Sequence, residues 1–113
     1  MIVTIYHNPR CSKSLETLRL IEEKGIKPNI IEYLKQPPTI KELRQLLLKL
    51  GVAAPALARK KDAADKGVEL KKLTDNEILK SISQYPSILQ RPIIVVGEKA
   101  VLGRPPENVL SIL

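Results

Sequence analysis

Three short segments at the start of the chain constrain its fold most. Ile2 to Tyr6 is a five-residue apolar run. Ser12 to Lys24 carries Leu15, Leu18 and Ile21 at helical spacing and meets its stop at Gly25. Pro28-Asn29 then leads into a second short apolar run, Ile30 to Leu34. Strand, helix and strand within about thirty residues predict a right-handed βαβ unit, because parallel neighbours need a crossover between them.

The middle of the chain is helical. Thr39 and Glu42 have capping-box spacing, and Leu43, Leu46, Leu47 and Leu50 follow the i, i+3, i+4, i+7 pattern up to Gly51. Val52 to Lys61 is expected as a short helix beginning near Pro55 and carrying Leu57 and Arg59, and Asp62 to Lys72 as a charged, solvated loop. A second capping box, Thr74 with Glu77, opens a helix through Ile78, Leu79 and Ile82 that Pro86 closes. Ile93 to Val96 and Ala100 to Leu102 have hairpin spacing around Gly97-Glu98-Lys99, and Pro105-Pro106 starts a short terminal helix. The pattern predicts one α/β domain over residues 1–113: a small mixed four-stranded sheet, with a helical insertion at about 39–85 between an N-terminal βαβ and a C-terminal ββα.

With 113 residues, one domain with one core is the expectation. The net charge of +7 attracts anions without naming them. The absence of Phe and Trp leaves few platforms for stacking bases, and no helix carries a dense Lys/Arg stripe, so nucleic acid is not an expected partner. No apolar stretch reaches the roughly 20 residues that span a bilayer, so no membrane partner is expected. Met1 leads straight into strand-like sequence, which predicts no export signal and a place in the reducing cytoplasm. No bound cofactor and no metal site are expected.

Cys11 is the only cysteine, in His7-Asn8-Pro9-Arg10-Cys11-Ser12-Lys13-Ser14, where the first strand ends and the first helix begins. Unpaired N–H groups at a helix N-terminus stabilise an anion there. A hundredfold gain in thiolate population takes about 2.7 kcal/mol, and a helix N-terminus supplies about 0.3 to 1 kcal/mol. Neighbouring cations must supply the rest; His7, Arg10 and Lys13 are near in sequence. A lone Cys is more often a buried hydrophobe, but Pro, Arg, Ser and Lys flanks suit a core poorly, which favours a reactive thiol.

Three arginines stand at loop or element-end positions: Arg59, Arg91 before Pro92, and Arg104 before Pro105-Pro106. Guanidinium forks match tetrahedral oxyanions by bidentate hydrogen bonding. Taken with Tyr6 to Ser14, Ala56-Leu57-Ala58-Arg59-Lys60, Gln90-Arg91-Pro92-Ile93 and Gly103-Arg104-Pro105-Pro106-Glu107, they make a sequence that resembles the glutaredoxin-coupled arsenate reductases, a branch of the thioredoxin-like proteins. The resemblance runs over essentially the whole chain.

It implies a thioredoxin-like fold in which Cys11 is the nucleophile, His7 tunes the thiol, and Arg59, Arg91 and Arg104 bind and polarise the oxyanion. Pro92 takes the place of the cis-proline that faces the active site, with Asn8 and Ser14 as structural residues beside it. Ser14 stands where dithiol proteins carry their second Cys. The implied reaction reduces arsenate to arsenite through a covalent Cys11 adduct, with glutathione as external reductant and glutaredoxin clearing the mixed disulfide. Phosphate or sulfate would compete as anions. Independently of the resemblance, a chain with one cysteine needs a thiol from elsewhere.

Two alternatives share the fold. A regulator binding a protein partner would carry Cys-x-x-Cys, where this chain has Cys11-Ser12-Lys13-Ser14. A general thiol transferase would have no use for an arginine cluster. This chain also differs from some relatives in lacking a longer charged tail after Leu113 and in having Asp62-Ala63-Ala64-Asp65 where an aromatic residue is common.

Overall fold

The computed structural model describes residues 1–113, which form two compact units: residues 1–36 with 91–113, and the intervening residues 37–90. The first unit holds the sheet. Strand β1 (Val3–His7) pairs in parallel with β2 (Asn29–Glu32) through the crossover helix α1 (Ser12–Glu23), and antiparallel with β3 (Ile93–Val96). β3 continues through a two-residue turn into β4 (Lys99–Leu102), giving the strand order β2-β1-β3-β4. Gly97 in that turn has φ +60°, a conformation that L side chains rarely adopt. A 3-10 helix (Pro106–Ser111) follows and packs against α1.

Val3 and Ile5 from β1, Ile94 from β3, Ile21 from α1 and Val109 from the 3-10 helix make a buried apolar cluster. It ties the first helix to the last segment of the chain. At roughly 25 cal/mol per Å² of apolar surface, five buried aliphatic side chains are a large share of what holds this unit together. The stripe of α1 that faces inward is Ser14, Thr17 and Ile21. Leu15, expected on that face, is 48% exposed.

The second unit is helical. α2 (Ile40–Leu50) begins with the predicted capping box: Glu42 N–H donates to Thr39 Oγ1 while Glu42 accepts from Thr39 N–H. It ends at Gly51 in the left-handed conformation. α4 (Asp75–Gln84) repeats the device with Thr74 and Glu77, packs on α2, and buries Ile78, Leu79 and Ile82.

Between these helices the chain departs from the sequence expectation. The helix expected over 52–61 is a short 3-10 turn (Ala54–Leu57), after which the backbone runs extended through Ala58 and Arg59. The cause is pairing with a distant segment. Arg59 N–H donates to Ile88 O at 2.7 Å, Gln90 N–H donates to Leu57 O at 2.9 Å, and Ala58 bridges Leu89. The expected loop at 62–72 holds helix α3 (Lys60–Asp65), which buries Ala63, and a 3-10 turn (Leu70–Lys72).

Candidate active site

Cys11 occupies the N-cap position of α1, held by a tight turn in which its own N–H donates to Asn8 O at 3.0 Å. Asn8 also braces the loop from the side, since its Oδ1 accepts Arg10 N–H at 3.0 Å. No side chain caps the helix. The sulfur lies beside that terminus, where the backbone N–H groups of Ser14 and Lys13 favour its charged form.

Two guanidinium groups complete the surroundings. Arg104 Nη2 lies 3.6 Å from Cys11 Sγ, and Arg104 Nε donates to the Arg91 carbonyl at 2.8 Å. Burial pushes the thiol up. The backbone N–H groups of Ser14 and Lys13, with the charges of Arg104 and Arg91, outweigh it and lower the Cys11 thiol from its ordinary value. The cations that act on the sulfur therefore come from the far end of the sequence.

His7, at the end of β1, is buried, and its Nδ1 lies 2.6 Å from Ser14 Oγ. The same hydroxyl accepts Asn8 N–H at 3.1 Å, so a fully buried Ser14 joins strand, loop and helix. Burial lowers the His7 pKa despite the opposing charge of Glu32, its neighbour on β2, so the imidazole is neutral at pH 7. A neutral ring brings no positive charge to the thiolate.

The Arg91-Pro92 and Arg104-Pro105 bonds are both cis. Pro92 meets Gly103: Gly103 N–H donates to Pro92 O at 2.9 Å, and a Cβ on Gly103 would stand 2.7 Å from both Pro92 Cγ and Thr17 Oγ1. Thr17 is fully buried and donates to Lys13 O at 2.7 Å, which seats it in the first turns of α1. Thr17 carries no mark in the sequence, and Gly103 appears there only as the first residue of the Gly103–Glu107 segment, because the role of both is close approach between distant segments.

Arg59 belongs to the second unit. It occupies the N-cap position of α3, and its Nε pairs with Asp62 Oδ2 at 3.1 Å. No group of three or more His, Cys, Asp or Glu side chains comes together in a way that could hold a metal ion, and no helix is long and apolar enough to cross a membrane.

A partly exposed sulfur with a lowered pKa beside a guanidinium can attack an electrophilic centre whose oxygens the arginine binds. Comparison with known proteins gives that arrangement its context. An arsenate reductase of Haemophilus influenzae is 46% identical over 116 aligned residues, covering 100% of both chains. An uncharacterized protein of Escherichia coli K12, YfgD, is 43% identical over 98% of this chain and 96% of its own. The solved structure of an arsenate reductase from Vibrio cholerae superposes with a TM-score of 0.95 at 43% identity, covering 100% of this chain and 98% of the other. The fold is thioredoxin-like. The profile of the ArsC family matches residues 6–112, and with these relatives across its whole length the chain belongs to the ArsC family.

Proposed function

We propose that this protein is an arsenate reductase that passes through a covalent Cys11–arsenic adduct. The observation that carries the reading is the lowered-pKa Cys11 sulfur 3.6 Å from Arg104 Nη2, on a chain 46% identical to an arsenate reductase.

Arsenate binds with its oxygens on Arg104 and Arg91, and Arg59 is proposed as the third guanidinium. The Cys11 thiolate attacks arsenic; a sulfur–arsenic bond forms, and one oxygen leaves as water after protonation. The arginines draw charge from the remaining oxygens as this happens. Neutral His7 holds Ser14, and through it the loop that aims the sulfur, which is how it tunes the thiol.

The next thiol comes from outside, and glutathione is proposed for it. Its sulfur attacks the Cys11 sulfur, the sulfur–arsenic electron pair passes to arsenic, and As(V) leaves as arsenite, As(III). Cys11 is left in a mixed disulfide with glutathione. Glutaredoxin then takes the glutathione sulfur and returns the Cys11 thiolate. No resident cofactor is needed in this cycle, and a cytoplasmic location, where thiols stay reduced, suits it. Phosphate and sulfate would compete for the arginines without being reduced.

The test is a coupled assay with glutathione, glutaredoxin, glutathione reductase and NADPH. Arsenate-dependent NADPH oxidation that disappears in Cys11→Ser is expected. No arsenate-dependent rate, or an undiminished one in Cys11→Ser, overturns the reading. Arsenite formed with thioredoxin but not with glutathione would overturn the coupling while leaving the reduction in place.

A further inference from the structure

Arg104 acts on Cys11 from a loop between β4 and the terminal 3-10 helix, and its usefulness depends on how firmly that loop is set. The Arg104 side chain is held by Nε on the Arg91 carbonyl and reaches the Cys11 sulfur through Nη2. Its backbone is held elsewhere. Asn108 Nδ2 lies 3.1 Å from Leu102 O and 3.0 Å from Arg104 O, so the two N–H donors of one amide take the carbonyls on either side of Gly103. Gly103 itself is fixed between, with its N–H on Pro92 O and no space for a Cβ.

Asn108 is in turn anchored. Its N–H donates to Pro105 O at 3.0 Å, its carbonyl accepts from Ser111 Oγ at 2.8 Å, and the next residue, Val109, is fully buried in the apolar cluster with Ile21 and Ile94. The amide thus bridges the core-anchored 3-10 helix to the strand end that presents Arg104.

We propose that Asn108 is a positioning residue for Arg104, holding the guanidinium where it can stabilise the Cys11 thiolate and grip an oxyanion. The Asn108 amide hydrogen-bonds Leu102 O and Arg104 O, not the Cys11 sulfur. Its effect passes through Arg104 alone, and that dependence distinguishes it from a residue that merely stabilises the fold.

The experiment follows iodoacetamide alkylation of Cys11 against pH, with and without inorganic phosphate, in wild type, Asn108→Ala, Arg104→Ala and the double variant. Asn108→Ala should raise the apparent pKa of Cys11 and weaken phosphate protection by roughly threefold to tenfold, the loss expected for one or two ordinary hydrogen bonds. In the Arg104→Ala background the same substitution should change neither quantity. Asn108→Leu, similar in volume but without donors, should behave as Asn108→Ala does. Equal effects of Asn108→Ala with and without Arg104, a change in melting temperature with no change in thiol pKa, or a normal Asn108→Leu would each overturn the proposal. Because the probe is phosphate and the readout is alkylation, this test can fail while arsenate reduction stands, and the reverse.

Discussion

Arg91 and Arg104 face each other across the open end of the β3–β4 hairpin. The ladder pairs Ile93 with Leu102, and continuing its register by two residues sets Arg91 opposite Arg104, where Arg104 Nε donates to the Arg91 carbonyl at 2.8 Å. The fork of Arg104 uses its Nε on the protein and directs Nη2 to the sulfur. Lysine has the charge but not this geometry.

Arg104→Lys should therefore lose far more than a conservative exchange would suggest. Loss of an oriented donor to a developing oxyanion typically costs about 10² to 10³ in rate, and Arg104→Ala should fall in that range. Arg104→Lys should recover part of the thiol acidity and little of the arsenate rate. Steady-state kinetics and alkylation measured on the same preparations check this. A Lys variant equal to wild type in both would mean that charge alone suffices.

The acidity of Cys11 should also appear in stability. Its folded pKa lies below the unfolded one, so the unfolded state binds more protons between the two values. The thiolate contribution is present above the unfolded thiol pKa of about 8.5 and is lost as pH falls through the folded pKa. Urea midpoints of wild type and Cys11→Ser should diverge at alkaline pH and converge on acidification. Parallel curves across the range would contradict the lowered pKa.

Ser14→Ala removes the hydroxyl that joins His7 Nδ1 and Asn8 N–H in a buried setting. Leaving such groups unpaired costs about 1 to 3 kcal/mol, so the urea midpoint should drop accordingly. Alkylation should slow as well, because the loop that carries Cys11 loosens. His7 adds a pH signature of its own. Its folded pKa is lowered, so stability should decline as pH falls below the ordinary histidine value of about 6.5. A His7→Asn variant should lack that decline.

Gly103→Ala places a methyl group 2.7 Å from Pro92 Cγ and Thr17 Oγ1. Overpacking of this kind typically costs about 1 to 3 kcal/mol, and here it pushes on the segment that leads into Arg104. The variant should melt lower and bind phosphate more weakly. Gly25→Ala meets no atom within 4 Å but must adopt φ +76°, so it should lose stability with phosphate binding unchanged. Thermal melts with and without phosphate separate the two.

Much of this arrangement is legible in the sequence because it is local. Thr39 and Glu42 specify a helix start three residues apart, and the strand-to-helix junction places Cys11 at unpaired N–H groups without reference to the rest of the chain. The β3–β4 hairpin was legible too, and its register is what brings Arg91 to Arg104. What the sequence hides is long-range backbone pairing and close approach. Ala58 and Arg59 run extended, where periodicity suggests helix, because their partners are Ile88 to Gln90, some thirty residues later. Leu15 lies outside because the inner stripe at the start of α1 must be small. Thr17 already fills the gap beside Gly103 and Pro92, and a hydroxyl residue at 14 is needed to reach His7.

Because β1 lies between β2 and β3, the central strand finds one partner early in synthesis and the other only after the entire insertion has been made. A nascent chain that has emerged only as far as Gln90 holds Cys11 but has neither Arg91 nor Arg104. Its sulfur has only the helix terminus to acidify it, which supplies a fraction of what a thiolate requires. Both guanidinium groups that lower the Cys11 pKa are thus encoded after the insertion, beside the late strands.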